Sequence, residues 1–197
     1  MRRTPELILG PFYPADRIAP VTRDLTIGGH EGAGPKGELI LINVSIQNQD
    51  GDALKGVHAE FWQANAGGRY RHALDEGPAP IDPSFDGFGS QVTDEFGQLS
   101  FRTVRPGAYR TPLGDMRAPH IHFQVTDGAL RLVTQMFFPG EPINGEDRFL
   151  KTCLNPAMLV ARTSEPAAAV PEFSWQIVLA RRAVAPVLSH TLIERQP

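Results

Sequence analysis

Cysteine is almost absent from this chain: Cys153 stands alone among 197 residues. A single thiol excludes an intrachain disulfide framework and a cysteine-built zinc ribbon, so any metal chemistry must draw on nitrogen and oxygen donors. Positive charge is not in excess either, since 19 basic side chains stand against 22 acidic ones. That balance leaves no electrostatic footprint for nucleic acid. Long apolar runs are missing as well. The N-terminal MRRTPELILGPFYPADR reaches proline and glycine before a signal sequence could form, and no segment approaches the roughly 20 apolar residues of a spanning helix. A soluble, cytoplasmic protein with no membrane partner is the expectation. Uninterrupted helical sequence is scarce too, because 19 glycines and 18 prolines punctuate the chain. Turn-rich, all-β architecture follows.

What is present agrees with that. ELILINVSIQ, residues 38–47, alternates Ile40, Ile42, Val44 and Ile46, the period of a half-buried strand. The Asp-Gly signals of NQDGDALKG predict a hairpin into VHAEFWQA, with Val57, Ala59 and Phe61 on one face and Trp62 on the other. Further strands are expected in TDEFGQLSFRTV, HIHFQVT, LRLVTQMFF and EFSWQIVLARR, the last with Phe173, Trp175, Ile177 and Leu179 in register. NGEDRFLKTCL is the best short-helix candidate. Residues 64–90 and RPGAYRTPLGDMRAP read as long loops, which in a compact domain are usually functional. Residues 1–36 form an irregular arm with only DLTI as strand, and GPFYP and GGHEGAGPKG as its loop chemistry. The length favours one core. The expected fold is therefore a single-domain β-sandwich of about seven or more strands over residues 37–197, with the arm belonging to the same domain.

In the stretch MRAPHIHFQV, His120 and His122 are two residues apart on a strand and share a face. Two imidazoles so placed can bite one metal ion, yet they equally fit a polar strand face whose partners Ile121, Phe123 and Val125 form the core. Two of the three tyrosines, Tyr70 and Tyr109, sit in the two long loops. Phenolate is a hard anionic donor suited to ferric iron; two phenolates and two neutral imidazoles would leave a 3+ ion one residual positive charge, open to a dianionic bidentate ligand. Each tyrosine singly is better read as a loop aromatic packed on the sheet edge.

Three segments, FWQANAGGRYRH, DGFGSQVTDEFGQLSFRTVRPGAY and RAPHIHFQV, resemble the signature segments of the intradiol ring-cleavage dioxygenases. The resemblance is strongest to the iron-bearing subunit of the protocatechuate 3,4-dioxygenase branch and runs from about residue 38 to 181. It implies a mononuclear non-haem Fe(3+) held by Tyr70, Tyr109, His120 and His122, with Tyr109 matching the axial ligand that yields its place as a catechol binds. It implies that dioxygen opens the ring between the two hydroxylated carbons to a cis,cis-muconate-type diacid, in aromatic catabolism. Arg117 then matches the cation that stabilises the activated substrate, Gln135 a pocket amide beside the iron, and Trp62 a tryptophan walling the site.

Gly10, Pro11 and Phe12 match a Gly-Pro-aromatic element that a partner chain supplies in the two-subunit enzymes. Here they share a chain with all four ligands, which implies an arm closing over its own site or over a neighbour's in a homo-oligomer. Thr111 stands where that branch has an aromatic residue, the loop to His120 is shorter, and Phe149 replaces an aliphatic pocket residue. These departures reshape the substrate mouth. No helical segment precedes the sandwich as it does in catechol and hydroxyquinol 1,2-dioxygenases, so a protocatechuate-like substrate is favoured. Two other readings remain open: a non-catalytic sandwich subunit that only binds, and a metal-dependent hydrolase combining the histidine pair with Asp94 or Asp115.

Overall fold

Alternation along Leu39–Gln47 (β1) drives Ile40, Ile42, Val44 and Ile46 inward, none more than 2% exposed, as period-two patterning demands. The computed structural model describes residues 1–27, 34–164 and 169–180. The loop residues 28–33 of GGHEGAGPKG and the end of EFSWQIVLARR at 181–182 lie outside them.

Beyond β1 the strands are His58–Gln63 (β2), Phe88–Val92 (β3), Gln98–Val104 (β4), Tyr109–Arg110 (β5), Met116–Arg117 (β6), His120–Asp127 (β7), Leu130–Phe137 (β8), Arg162–Thr163 (β9) and Glu172–Val178 (β10). One short helix, Arg148–Thr152 (α1), falls inside the expected segment. Among the described residues one sheet runs β3-β2-β7-β8, a second runs β4-β1-β10-β9, and β5 and β6 pair as a separate ribbon. The sheets meet through aromatic rings. Phe61 stacks on Phe101 at 4.0 Å and Phe123 meets Trp175 at 5.2 Å, each such side chain contributing about 1.5–3 kcal/mol through burial. The all-β sandwich expected from the sequence is the architecture found.

Three local expectations need correction. The hairpin joining β1 to β2 does not form, because the two strands lie in opposite sheets. The Asp-Gly turn is real but short: Asn48 accepts the N–H groups of Asp50 and Asp52, the chain folds back so that Leu54 N donates to Ile46 O, and it then crosses to the other sheet. Crossing lets Val57, Ala59 and Phe61 face the β1 isoleucines across the core instead of lying beside them. DLTI is not a strand; Asp24 makes an isolated bridge to Arg102 and the rest is turn. Finally, the loop RPGAYRTPLGDMRAP contains the β5–β6 ribbon, which pairs Tyr109 with Arg117.

The arm is irregular, as expected, and tied down by its backbone. Thr4 N donates to Val178 O in β10, Leu7 N to Val133 O in β8, and Ser90 N in β3 to Pro20 O. No helix among the described residues is long and apolar enough to cross a membrane.

Candidate active site

Strand β7 turns Ile121, Phe123 and Val125 into the core and His120 and His122 onto the opposite face of its sheet. Sheet register places His122 between Trp62 on β2 and Gln135 on β8. The histidine Nε2 atoms lie 3.1 Å apart. His120 Nδ1 is 2.6 Å from Ala118 O, so Nδ1 carries the proton and donates, leaving the Nε2 lone pair directed into the site. His122 Nδ1 has no partner, and packing holds its ring: Trp62 stacks on it at 4.8 Å and 12°, and Gly10 covers its edge. A Cβ at Gly10 would sit 3.3 Å from His122 Cε1, and its φ of +78° is one that glycine adopts without strain.

The two long loops deliver the tyrosines, and backbone contacts stitch them together. Gly107 N donates to Asn65 O, and the Asn65 side chain accepts the N–H groups of Gly67 and Arg69. At Gly68, φ is +81° and a Cβ would lie 2.3 Å from Ala108 O, so only glycine lets the Tyr70 loop meet the Tyr109 loop. Asp75 Oδ2 accepts Tyr70 N at 2.7 Å. The outcome is a Tyr70 hydroxyl 3.4 Å from His120 Nε2 and two phenol rings 5.6 Å apart, edge to face.

Electrostatics in the protein alone oppose charge on every one of these groups. Burial, reinforced by the Arg117 cation, holds both imidazoles well below the ordinary histidine range, and His122 further depresses His120. Burial pushes the Tyr70 phenol well up, with Tyr109 beside it adding to the shift. Burial also raises Tyr109, partly offset by Arg117. A cation at the point of convergence inverts this logic, since it stabilises phenolates and uses neutral imidazole lone pairs directly.

The residues fit such an ion on two counts. The nitrogen separation of 3.1 Å is that of two donors each about 2.0–2.1 Å from a shared metal at roughly a right angle. The donor set of two phenols and two imidazoles is the hard, anionic one that ferric iron prefers. By contrast, no group of three or more His, Cys, Asp or Glu side chains converges among the described residues. Asp94 accepts the N–H groups of Phe96 and Gln98, while Asp115 pairs with Arg148 at 3.2 Å. The hydrolase reading therefore lacks its third ligand.

Arg117 is buried beside the histidines. Its Nε donates to Asp147 Oδ2 at 2.9 Å, its Nη2 to Gln135 Oε1 at 2.6 Å, and its plane lies over Phe149 at 4.4 Å. Asp147 was not singled out from sequence. It is fully buried, also accepts Ala118 N, and caps α1 by accepting Phe149 N and Leu150 N. An aspartate preceding a short helix signals a cap in sequence, and nothing there signals its second partner.

A cavity of about 300 Å³ opens beside His122, Tyr109 and Arg117. Gly10, Pro11, Phe12, Thr111 and Phe149 all line it, so the arm closes over the site of its own chain. Phe12 also packs on Tyr70 at 4.8 Å. Trp62 is not on the cavity wall; it backs His122 from the far side and meets Tyr13 edge to face at 5.0 Å. Gln135 reaches the site through Arg117. Ile8, Pro112, Leu113 and Arg148 line the cavity without having been expected there, and Asp115, named only for the hydrolase reading, borders it as well.

A β-sandwich with two histidines on one sheet face and two tyrosines brought to them by its long loops defines a class, and comparison with known proteins agrees with it. The dioxygenase family model matches residues 8–181, and the chain belongs to the intradiol ring-cleavage dioxygenase family. It is 40% identical over 143 residues to the protocatechuate 3,4-dioxygenase beta chain of Burkholderia cepacia, covering 70% of this chain and 60% of that one. It is 31% identical over 161 residues to catechol 1,2-dioxygenase of Acinetobacter baylyi, covering 73% and 49%. The match thus spans about half to three-fifths of these curated relatives. Among solved structures, the dioxygenase domain of a dioxygenase and carbohydrate-binding fusion from Streptomyces sp. SirexAA-E superposes with a TM-score of 0.71. That match has 26% identity, over 92% of this chain and 100% of that one.

Proposed function

We propose that the protein is an intradiol dioxygenase that holds one ferric ion through Tyr70, Tyr109, His120 and His122 and opens catechol rings between their hydroxylated carbons with dioxygen. The observation that carries this reading is the convergence of two buried imidazole nitrogens and two phenols beside a cavity of about 300 Å³. Bound there, ferric iron supplies the Lewis acidity and the redox partner that make a catecholate reactive toward dioxygen.

The chain's own groups then have distinct tasks. Tyr109 borders the cavity whereas Tyr70 lies behind it, so the Tyr109 phenolate oxygen is the one placed to take a proton from an incoming catechol hydroxyl. Arg117 holds a fixed positive charge against the anionic substrate oxygens. Its Nε and Nη2 are committed to Asp147 and Gln135, which leaves Nη1 to donate into the cavity. Phe12 and Pro11 of the arm exclude water from the reacting face, and the absence of a side chain at Gly10 leaves room at the His122 edge.

The test is colour followed by chemistry. Ferric loading of the protein is expected to produce an intense visible tyrosinate-to-iron charge-transfer band, and catechol with dioxygen is expected to yield a muconate-type diacid. A colourless protein with a full complement of iron refutes the ligand set. Protocatechuate, in the name of the relative at 40% identity, is the first catechol to test.

A further inference from the structure

Resting on that reading of the site, we infer that the cavity selects catechols whose ring substituents are uncharged and apolar rather than carboxylated. Its apolar walls are Ile8, Pro11, Phe12, Pro112, Leu113 and Phe149. Two cations also border it, and each already has a carboxylate. Arg117 is paired with buried Asp147 at 2.9 Å, and Arg148 with Asp115 at 3.2 Å. Both guanidinium groups lie over the Phe149 ring, at 4.4 and 5.0 Å. A substrate carboxylate would meet guanidinium groups whose charge is already offset, so the cost of desolvating it in a largely apolar pocket is repaid only in part.

The surroundings reinforce this. Asp115 itself borders the cavity, and an adjoining groove of about 720 Å³, which shares Phe12, Tyr109, Thr111 and Pro112 with it, adds Glu76 and Asp75, the latter paired with Arg69 at 3.5 Å. Arg110 on that groove is exposed and donates to Gly114 O. A small alkyl group on the ring gains from the apolar lining of the cavity, by roughly fourfold in affinity per buried methylene.

The experiment is anaerobic calorimetric titration of the ferric protein with catechol, 4-methylcatechol, 4-ethylcatechol, hydroxyquinol and protocatechuate, followed by turnover of each with dioxygen. Binding of 4-methylcatechol at least about tenfold tighter than protocatechuate, with 4-ethylcatechol at least as tight, is the expected result. Protocatechuate or hydroxyquinol binding as well as 4-methylcatechol, or no catechol binding at all, overturns the inference. Binding order is read whether or not rings are opened, so a protein that ranks the ligands as expected yet cleaves none refutes the proposed reaction and leaves the selectivity standing. The Asp115→Asn variant frees Arg148 and is expected to narrow the 4-methylcatechol to protocatechuate ratio several-fold. An unchanged ratio overturns the charge argument.

Discussion

Replacing Asp147 by alanine isolates the group that joins the fold to the site. The carboxylate is fully buried and meets Arg117 Nε at 2.9 Å, Ala118 N at 3.0 Å and Phe149 N at 2.9 Å. Removing it leaves the Arg117 guanidinium buried without a counter-charge, hydrogen-bonded to the Gln135 side chain and lying over Phe149, a loss of about 3–5 kcal/mol for a broken buried pair. Loss of the α1 cap, about 1 kcal/mol alone, acts through the same side chain and does not simply add. At roughly 2–4 °C per kcal/mol for a chain of this size, Tm should fall by about 6–20 °C. The assay is denaturant unfolding of metal-free protein, with Tm as a second readout. Arg117→Met combined with Asp147→Ala should recover part of the loss, because no charge is then stranded. A destabilisation of Asp147→Ala below about 1 kcal/mol refutes the reasoning, as does a double variant less stable than the single one. Asp147 also offsets the Arg117 charge beside the proposed ferric site, so Asp147→Asn is expected to weaken ferric binding in a competition titration.

His122→Ala should lose ferric iron outright, measured as metal content after desalting, whereas Tyr109→Phe should keep iron but lose part of the visible band and slow catechol uptake in stopped flow. Gly68→Ala places a Cβ at 2.3 Å from Ala108 O in a positive-φ position; it should cost more than about 1 kcal/mol and lower iron affinity by separating the tyrosine loops. The metal-free protein should also lose stability in acid. His120 and His122 are held well below the ordinary histidine value of about 6.5, so as pH falls through that value the unfolded chain takes up protons that the folded one refuses. The loss continues until the depressed folded values are reached, and denaturant midpoints between pH 8 and 5 check it.

Much of this molecule was legible before folding because strand alternation is local. Ile40 to Ile46, Phe173 to Leu179 and the His-x-His face of β7 each follow from period two alone, and the paired phenol and imidazole donors followed from chemistry and resemblance. What stayed hidden depends on groups distant in sequence. The Asp-Gly turn after β1 looks like a hairpin because its local chemistry is that of one. Only the gain from facing Phe61 toward Phe101 across the core sends the chain to the other sheet. Asp147 looks like a helix cap because its other partner, Arg117, is thirty residues away. By itself the sequence determined the all-β class, the core faces and the kinds of donor available, since these rest on patterning and side-chain chemistry. The tertiary structure alone decided three things. It set the register that aligns Trp62, His122 and Gln135, it laid the arm over its own cavity, and it paired each cavity cation with a carboxylate. Each needs separated segments to meet in space, and no local propensity records that.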